Sequence, residues 1–189
     1  MKYFEHESAA TFDEAVSLLK ESPKGKTVVM AGGSDLIGVL KEQILEDYPE
    51  KVVDLKTVRG GEYIKQDGDT IEIGALTKLC DIVKSDLLNE KAPVLSQAAR
   101  SVATPLIRNV ATMGGNICQD VRCWFYRYPH GIGGRMDCMR KGGKECYAVM
   151  GDNRYHSIFG GMKVHTTPCS VQCPANTDIP AYMERLRQG

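Results

Sequence analysis

The chain has 189 residues, 42% of them apolar, and its 24 basic side chains balance its 24 acidic ones. This length and composition allow one full domain with its own core and exclude a chain that is disordered throughout. Charge neutrality argues against nucleic-acid binding, which needs a basic face. No apolar run approaches the roughly 18 residues of a membrane span, and the N-terminus lacks the apolar core of a signal peptide. We therefore expect a soluble, cytoplasmic protein that binds neither nucleic acid nor membranes.

Residues 1–56 carry the pattern of a small α/β lobe. A capping box at Thr11 and Glu14 is followed by apolar residues three and four positions apart, which predicts an amphipathic helix. The valine-rich runs at residues 27–31 and 51–55 predict buried strands. A helix between these strands would complete a strand–helix–strand unit.

Residues 57–117 differ in pattern and predict a second, mixed α+β lobe. Alternating side chains on both sides of an Asp-Gly-Asp turn predict a hairpin over residues 62–74. Helices are predicted over residues 77–85 and 94–102. Residues 109–116 predict a strand that runs into a glycine turn.

The segment AGGSDL, residues 31–36, follows the first predicted strand and precedes a helix that Ser34 or Asp35 would cap and that would extend to about Leu45. Glycines let a polyanion approach the backbone, and the free amides at the start of a helix favour phosphate. The segment matches neither the G-x-G-x-x-G dinucleotide-binding motif nor the P-loop. A plain tight turn is the alternative interpretation.

A second glycine pair occurs in TMGGN, residues 112–116, with a hydroxyl side chain before it and an amide side chain after it. Two separated glycine pairs with such neighbours are suited to hold two parts of one long pyrophosphate ligand. The combination is more specific than either pair alone.

Three segments resemble the flavin-binding domain of the molybdenum hydroxylases: AGGSDL at 31–36, IGALTKL at 73–79 and IRNVATMGGN at 107–116. This is the family of xanthine dehydrogenase, carbon monoxide dehydrogenase and 4-hydroxybenzoyl-CoA reductase. The resemblance covers about residues 1–117, and it implies that two lobes sandwich FAD and that both glycine segments contact its pyrophosphate and ribityl chain. The FAD-binding residues that it implies are Ala31, Gly32, Gly33, Ser34, Asp35, Leu36, Ala111, Thr112, Gly114, Gly115 and Asn116.

Six of the seven cysteines follow residue 117. Clustered thiols in a chain with no sign of secretion more often bind metal than form disulfides. Cys123, Cys138 and Cys146 lie in a segment that resembles an insertion of the 4-hydroxybenzoyl-CoA reductase branch, where it carries a [4Fe–4S] cluster. Thiolate ligation would organise a segment that has little core of its own. Cys118 is favoured as the fourth ligand, and Cys169 is the alternative.

Two other interpretations of these cysteines stay open. In the first, the cysteines are scattered buried thiols with no ligand. In the second, they bind a structural zinc ion. The corresponding rival function is a non-catalytic assembly module, stabilised by zinc or an iron–sulfur cluster, in which the glycine pairs are only turns.

The C-terminal segment resembles a different family. Cys169 and Cys173, followed by proline, resemble the start of the two-cluster iron–sulfur domain of glutamate synthase small subunits and related pyridine-nucleotide oxidoreductases. Two thiols cannot complete a cluster, which normally has four thiolate ligands. We therefore expect residues 118–165 to form a cysteine-rich iron–sulfur loop. Residues 166–189 would be a linker and the start of a truncated iron–sulfur domain, in a fragment of a longer fusion.

The resemblance implies an α+β fold, a two-lobed flavin-binding domain with a glycine- and cysteine-rich iron–sulfur loop insertion. It implies an oxidoreductase component that relays electrons between a [4Fe–4S] cluster, FAD and an external acceptor or donor. The cofactors carry such chemistry, so no catalytic side chain is predicted. The implied partners are a molybdopterin-binding subunit, a [2Fe–2S] subunit, and a nicotinamide nucleotide or ferredoxin as the electron partner.

Overall fold

The chain divides into two compact units in the computed structural model. The first unit comprises Met1–Leu79 and Val110–Gln119, and the second comprises Cys80–Asn109 and the chain from Asp120 onward. Each unit is described by itself below. The residues that the structure describes are 1–45, 47–128, 136–150 and 185.

The first unit contains a three-stranded parallel sheet in the order β1-β3-β2. Its strands are β1 (Glu5–Ser8), β2 (Thr27–Met30) and β3 (Lys51–Asp54). The predictions of β2 and β3 are confirmed, and the central strand contributes the fully buried Val52 and Val53. Strand β1 was not predicted because its side chains are polar and mostly exposed. Backbone pairing with β3 and a hydrogen bond from the Lys51 ammonium to the Glu7 carboxylate at 2.8 Å hold it in the sheet.

Helix α1 (Phe12–Glu21) confirms the predicted capping box. The Thr11 hydroxyl oxygen accepts a hydrogen bond from the Glu14 N–H at 3.1 Å, and the Glu14 carboxylate accepts one from the Ala10 N–H at 2.6 Å. The Glu14 N–H in the first turn and the Ala10 N–H just before the N-cap therefore have side-chain acceptors. Ala15 is the buried residue on the inner face of the helix.

Helix α2 (Leu36–Lys41) ends earlier than the predicted limit at Leu45. Gln43 has a φ of 51°, in the left-handed region, which cannot continue a right-handed helix. The Ile44 N–H bonds to the Val39 carbonyl oxygen at 3.1 Å and closes the C-terminal turn. The helix therefore ends through local backbone geometry that hydrophobic periodicity does not reveal.

A hairpin follows in the first unit, as predicted. Strands β4 (Ile64–Asp67) and β5 (Thr70–Ile73) pair antiparallel across a two-residue turn. Gly68 in that turn has a φ of 56°, a conformation that glycine adopts without strain.

The core of the first unit draws on both predicted lobes. Buried residues from residues 1–56 pack with buried residues from residues 57–117. The lobe boundary itself stays a prediction. The buried members of this core are Ala9, Ala15, Val53, Val58 and Leu76, with Leu18, Ala31 and Leu55 packed against them.

Three helices lie in the middle of the chain: α3 (Leu79–Lys84), α4 (Asp86–Lys91) and α5 (Pro93–Ser101). The first and third confirm the helices predicted over residues 77–85 and 94–102. Helix α4 was not predicted. A serine at its N-cap accepts a hydrogen bond from a first-turn N–H, which separates it from α3.

Helices α6 (Pro105–Arg108) and α7 (Met113–Ile117) flank the start of the second glycine segment. The prediction that residues 109–116 form a strand and a glycine turn is therefore wrong. Thr112 is the N-cap of α7, and its hydroxyl oxygen accepts a hydrogen bond from the Gly115 N–H at 3.2 Å. This cap stabilises a helical turn despite the low helix propensity of two glycines.

The described part of the cysteine-rich segment 118–165 contains a 3-10 helix, Met139–Lys141, and helix α8 (Tyr147–Met150). Gly142 ends the 3-10 helix with a φ of 77°. The tail, residues 166–189 with Cys169 and Cys173, lies outside the described residues except for residue 185. The iron–sulfur loop and the tail domain therefore stay predictions.

The described residues form a mixed α+β fold, as predicted. Parallel strands, an antiparallel hairpin and short helices all contribute to it. Over those same residues, every helix is too short or too polar to span a lipid bilayer.

Candidate functional site

The two glycine segments are neighbours within the first unit. A Cβ atom added to Gly32 would overlap the carbonyl oxygen of Val110 and would lie 3.0 Å from the Cα atom of Ala111. The backbone that leads into the second glycine segment therefore lies directly against Gly32. Glycine is required at this position by the close approach of another part of the protein.

The first glycine pair leaves backbone donors free. Gly33 has a φ of 72°, and its carbonyl oxygen accepts a hydrogen bond from the Ile37 N–H at 3.0 Å. Among the described residues, nothing accepts a hydrogen bond from the backbone N–H groups of Gly33 and Ser34. Ser34 is also exposed. This turn can therefore donate hydrogen bonds to an anionic ligand.

The backbone donors of the second glycine pair are already used. The Gly114 N–H donates to the Ala75 carbonyl oxygen at 2.8 Å. The Gly115 N–H donates to the Thr112 hydroxyl, and the Asn116 N–H donates to the Thr112 carbonyl oxygen at 2.9 Å. The second pair can therefore offer side chains or its surface to a ligand, but its amides bind other parts of the protein.

The segment at residues 73–79 holds the second glycine segment in place. The Leu79 N–H donates to the Ala111 carbonyl oxygen at 2.9 Å, and the Met113 N–H donates to the Thr77 carbonyl oxygen at 2.8 Å. Thr77 and Leu79, which make these bonds from the segment at residues 73–79, were not among the predicted site residues. The resemblance of IGALTKL to the flavoprotein family was the sequence signal that could have pointed to these residues. It identified the segment but gave no role to any of its residues.

The remaining predicted FAD-binding residues surround the two pairs. Ala31 is half-buried and packs against the core, and Leu36 begins α2. Asp35 is the N-cap of α2 but makes no side-chain capping bond. Ala111 and Thr112 are buried. All the predicted residues lie in the first unit, and their contact with FAD stays a prediction.

The four predicted cluster ligands differ in burial. Cys123 and Cys138 are buried, Cys146 is half-buried, and Cys118 is exposed directly after α7. All four are free thiols. Within the described ranges, no group of three or more His, Cys, Asp or Glu side chains is placed to hold a metal ion. The role of these four cysteines as cluster ligands stays a prediction.

A buried phenol organises the cysteine-rich segment of the second unit. The Tyr126 hydroxyl donates to the Asp120 carboxylate at 3.0 Å. Burial and the charge of Asp120 raise the pKa of Tyr126 well above its usual range, so the phenol stays neutral. The ammonium of the buried Lys141 lies 5.7 Å from the ring centroid and donates to the Tyr128 carbonyl oxygen at 3.3 Å. These contacts link residues that lie between the cysteines in the sequence.

Comparison with known proteins places the chain in a family. The family described as "FAD binding domain in molybdopterin dehydrogenase" matches residues 2–131. The FAD-subunit of nicotinate dehydrogenase from Eubacterium barkeri is 34% identical over 117 residues, which are 62% of this chain and 39% of that protein. The xanthine dehydrogenase FAD-binding subunit of Escherichia coli O157:H7 is 36% identical over 112 residues, 58% of this chain and 37% of that protein.

One relative matches beyond the family region. The aldehyde oxidoreductase FAD-binding subunit PaoB of Escherichia coli K12 is 29% identical over 161 residues, 85% of this chain and 48% of that protein. A match of that length in a chain of 189 residues has to include the cysteines at 118–146. The similarity to a flavoprotein subunit therefore includes residues 118–146.

Solved structures agree with this assignment. A carbon monoxide dehydrogenase from Hydrogenophaga pseudoflava aligns with a TM-score of 0.58 and 31% identity, over 61% of this chain and 39% of that chain. Quinoline 2-oxidoreductase from Pseudomonas putida 86 aligns with a TM-score of 0.56 and 26% identity. The chain spans less than half the length of these relatives. Because the family match covers more than half of the chain, the chain belongs to the family of FAD binding domains of molybdopterin dehydrogenases.

Proposed function

We propose that this chain binds FAD and transfers electrons as part of a molybdenum-hydroxylase-type oxidoreductase. The observation that carries the proposal is the junction of the two glycine segments in one unit, with free N–H groups on Gly33 and Ser34. The relatives support it, since they are named as FAD subunits or medium chains of dehydrogenases. FAD, when bound, supplies the exchange of one or two electrons, and the protein supplies binding and orientation.

The two glycine pairs would have different parts in FAD binding. The free donors of Gly33 and Ser34 suit the pyrophosphate, because backbone N–H groups in a glycine turn bind anions. The second pair, whose amides are engaged, would contribute the surface of its first helical turn and the side chain of Asn116. The full set of FAD contacts proposed is the one predicted from the sequence in segments 31–36 and 111–116.

The partners belong to the proposal as well. We expect the chain to assemble with a molybdopterin-binding subunit and a [2Fe–2S] subunit, and to exchange electrons with a nicotinamide nucleotide or ferredoxin. Several relatives support assembly, because their names call them subunits or medium chains. Co-purification of the chain with proteins encoded beside it would test this part.

The flavin site can be tested by changing the charge beside the free donors. The Ser34→Asp variant places a carboxylate there, and Ser34→Asn is its neutral control of nearly equal size. Ser34 is exposed, so both variants should fold. We expect the unmodified chain to bind FAD stoichiometrically and Ser34→Asp to raise the Kd at least about tenfold through charge repulsion. Equal Kd values for the two variants, or no FAD binding by the unmodified chain, would contradict the proposal.

A [4Fe–4S] cluster in the cysteine-rich segment is a separate part of the proposal. The buried free thiols of Cys123 and Cys138 support it, as does the match to PaoB through this segment. Iron and sulfide content after anaerobic reconstitution tests it, with Cys138→Ser as the variant and Cys80→Ser as the control. We expect only Cys138→Ser to lose iron and sulfide. Zinc in place of iron would favour the non-catalytic assembly module instead.

The likeness of the tail to an iron–sulfur domain of glutamate synthase small subunits is the last part. If residues 166–189 are a linker and the start of another domain, their deletion should leave flavin affinity and the unfolding midpoint nearly unchanged. Loss of iron from the deletion variant would make Cys169 or Cys173 a cluster ligand and move the boundary.

A further inference from the structure

Thr77 joins two parts of the first unit through its side chain. Its hydroxyl accepts a hydrogen bond from the Tyr63 N–H at 3.0 Å and donates one to the Tyr63 carbonyl oxygen at 2.9 Å. The residue is only 3% exposed, so water does not replace these bonds. The hydroxyl therefore fixes the segment after β5 to the residue that precedes β4.

The main chain of the same residue reaches the second glycine segment. The Thr77 carbonyl oxygen accepts a hydrogen bond from the Met113 N–H at 2.8 Å, and two residues earlier the Ala75 carbonyl oxygen accepts one from the Gly114 N–H. Lys78 and Thr112 form an antiparallel bridge between the same segments. The position of the second glycine pair is therefore set by the segment that Thr77 anchors.

The second glycine segment in turn contacts the first. The backbone at Val110 and Ala111 lies so close to Gly32 that no Cβ atom fits between them. Gly33, with its left-handed φ and free N–H, follows directly. A shift of the second segment would therefore move or strain the turn that carries the free donors.

We propose that Thr77 is a positioning residue for flavin binding. Its hydroxyl fixes the position of the hairpin relative to the second glycine pair and, through that pair, relative to the first. Thr77 itself belongs to neither predicted glycine segment. The inference rests on the proposed flavin site and extends it to a residue to which the sequence assigned no role.

The test compares two substitutions of Thr77 with a matched control in the same unit. Thr77→Val keeps the side-chain shape and removes both hydroxyl hydrogen bonds, whereas Thr77→Ser keeps the hydroxyl and removes a methyl group. The control is Thr27→Val in strand β2. Thr27 is also buried, at 8% exposed, and its hydroxyl also makes a hydrogen bond, which it donates to the Ser22 hydroxyl at 2.7 Å. The measurements on the full chain are the FAD Kd, the visible spectrum of bound flavin and the denaturant midpoint.

A positioning role predicts a specific pattern. Thr77→Val should raise the FAD Kd about tenfold, because the loss of both hydroxyl hydrogen bonds lets the second glycine segment shift. The visible spectrum of bound flavin should shift as well. Thr77→Ser should lower the denaturant midpoint yet keep the Kd within about threefold. Thr27→Val should lower the midpoint and leave the Kd unchanged.

Three results would overturn the inference. The first is a Kd of Thr77→Val equal to that of the unmodified chain. The second is a Thr77→Ser variant that loses FAD affinity in proportion to its loss of stability. The third is a Thr27→Val variant that loses as much FAD affinity as Thr77→Val. The Thr77→Ser result decides the question even if Thr77→Val does not fold. Failure of the unmodified chain to bind FAD would instead remove the proposed flavin site itself, so the two failures are distinguishable.

Discussion

The two glycine pairs have the same sequence but different structural roles. In the first pair, Gly32 is required because the Val110 carbonyl lies against it, and Gly33 is required because its φ is 72°. In the second pair, Gly114 and Gly115 lie in the first turn of a helix, and their N–H groups bond to Ala75 and Thr112. One pair has free donors and the other has none among the described residues.

This difference shows why a glycine motif alone does not reveal a binding site. A glycine is needed for close approach, for a left-handed φ or for contact with a ligand, and the three reasons look alike in a sequence. Here close approach involves the protein itself at Gly32 and Gly114, since a Cβ on Gly114 would lie 3.0 Å from Ala75. Substitutions separate these reasons by the size of their effects.

The largest effect is expected for Gly32→Ala. The added Cβ would overlap the Val110 carbonyl oxygen, and backbone atoms cannot move aside as a flexible side chain can. We expect a loss of about 3 kcal/mol or more in the free energy of unfolding. Denaturant unfolding measures it, and a loss below about 1 kcal/mol would show that the two segments are not in this contact.

Gly33→Ala should cost less, because its problem is conformational. The atoms nearest to a Cβ there belong to the flexible side chains of Ile37 and Met30, at 3.0 and 3.1 Å, but the φ of 72° disfavours any L residue. We expect a loss of about 1–2 kcal/mol. Gly33→Asn is the control, since asparagine tolerates this region better and should lose less. Equal stability of the alanine variant and the unmodified chain would mean that the turn is not left-handed.

The stability of the helical turn at the second glycine pair should depend on its N-cap, Thr112. Thr112→Ala removes the hydroxyl that accepts a hydrogen bond from the Gly115 N–H, and it should lower the free energy of unfolding by about 1 kcal/mol. Thr112→Ser keeps the oxygen and should recover most of that loss in thermal unfolding. If serine and alanine destabilise the protein equally, the cap does not hold this helical turn.

The smallest effect, and the only gain, is expected at a glycine outside both pairs. Gly38 lies within α2, and a Cβ there would meet nothing within 4 Å. Gly38→Ala should therefore stabilise the protein by about 0.5–1 kcal/mol through helix propensity and reduced entropy of the unfolded chain. A destabilised Gly38→Ala variant would indicate a neighbour that the described residues do not include.

Sequence reasoning succeeded where signals were local and strong. The capping box at Thr11 and the valine-rich strands β2 and β3 were predicted because one short segment carries the whole signal. It failed at β1, whose polar, exposed residues carry no hydrophobic pattern, and at residues 109–116, where a threonine cap outweighed the glycines. It also missed Thr77, whose partners Tyr63 and Met113 are far from it in sequence.

The sequence by itself determined the family, since the glycine segments and IGALTKL are recognisable without coordinates and the family match spans residues 2–131. It also determined which residues are candidates for FAD and cluster binding. Only the tertiary structure decided which glycine pair has free donors, because that depends on whether distant carbonyl groups, such as that of Ala75, take the N–H groups. Hydrogen-bond partners and steric neighbours come from other parts of the chain, and the local sequence does not encode them.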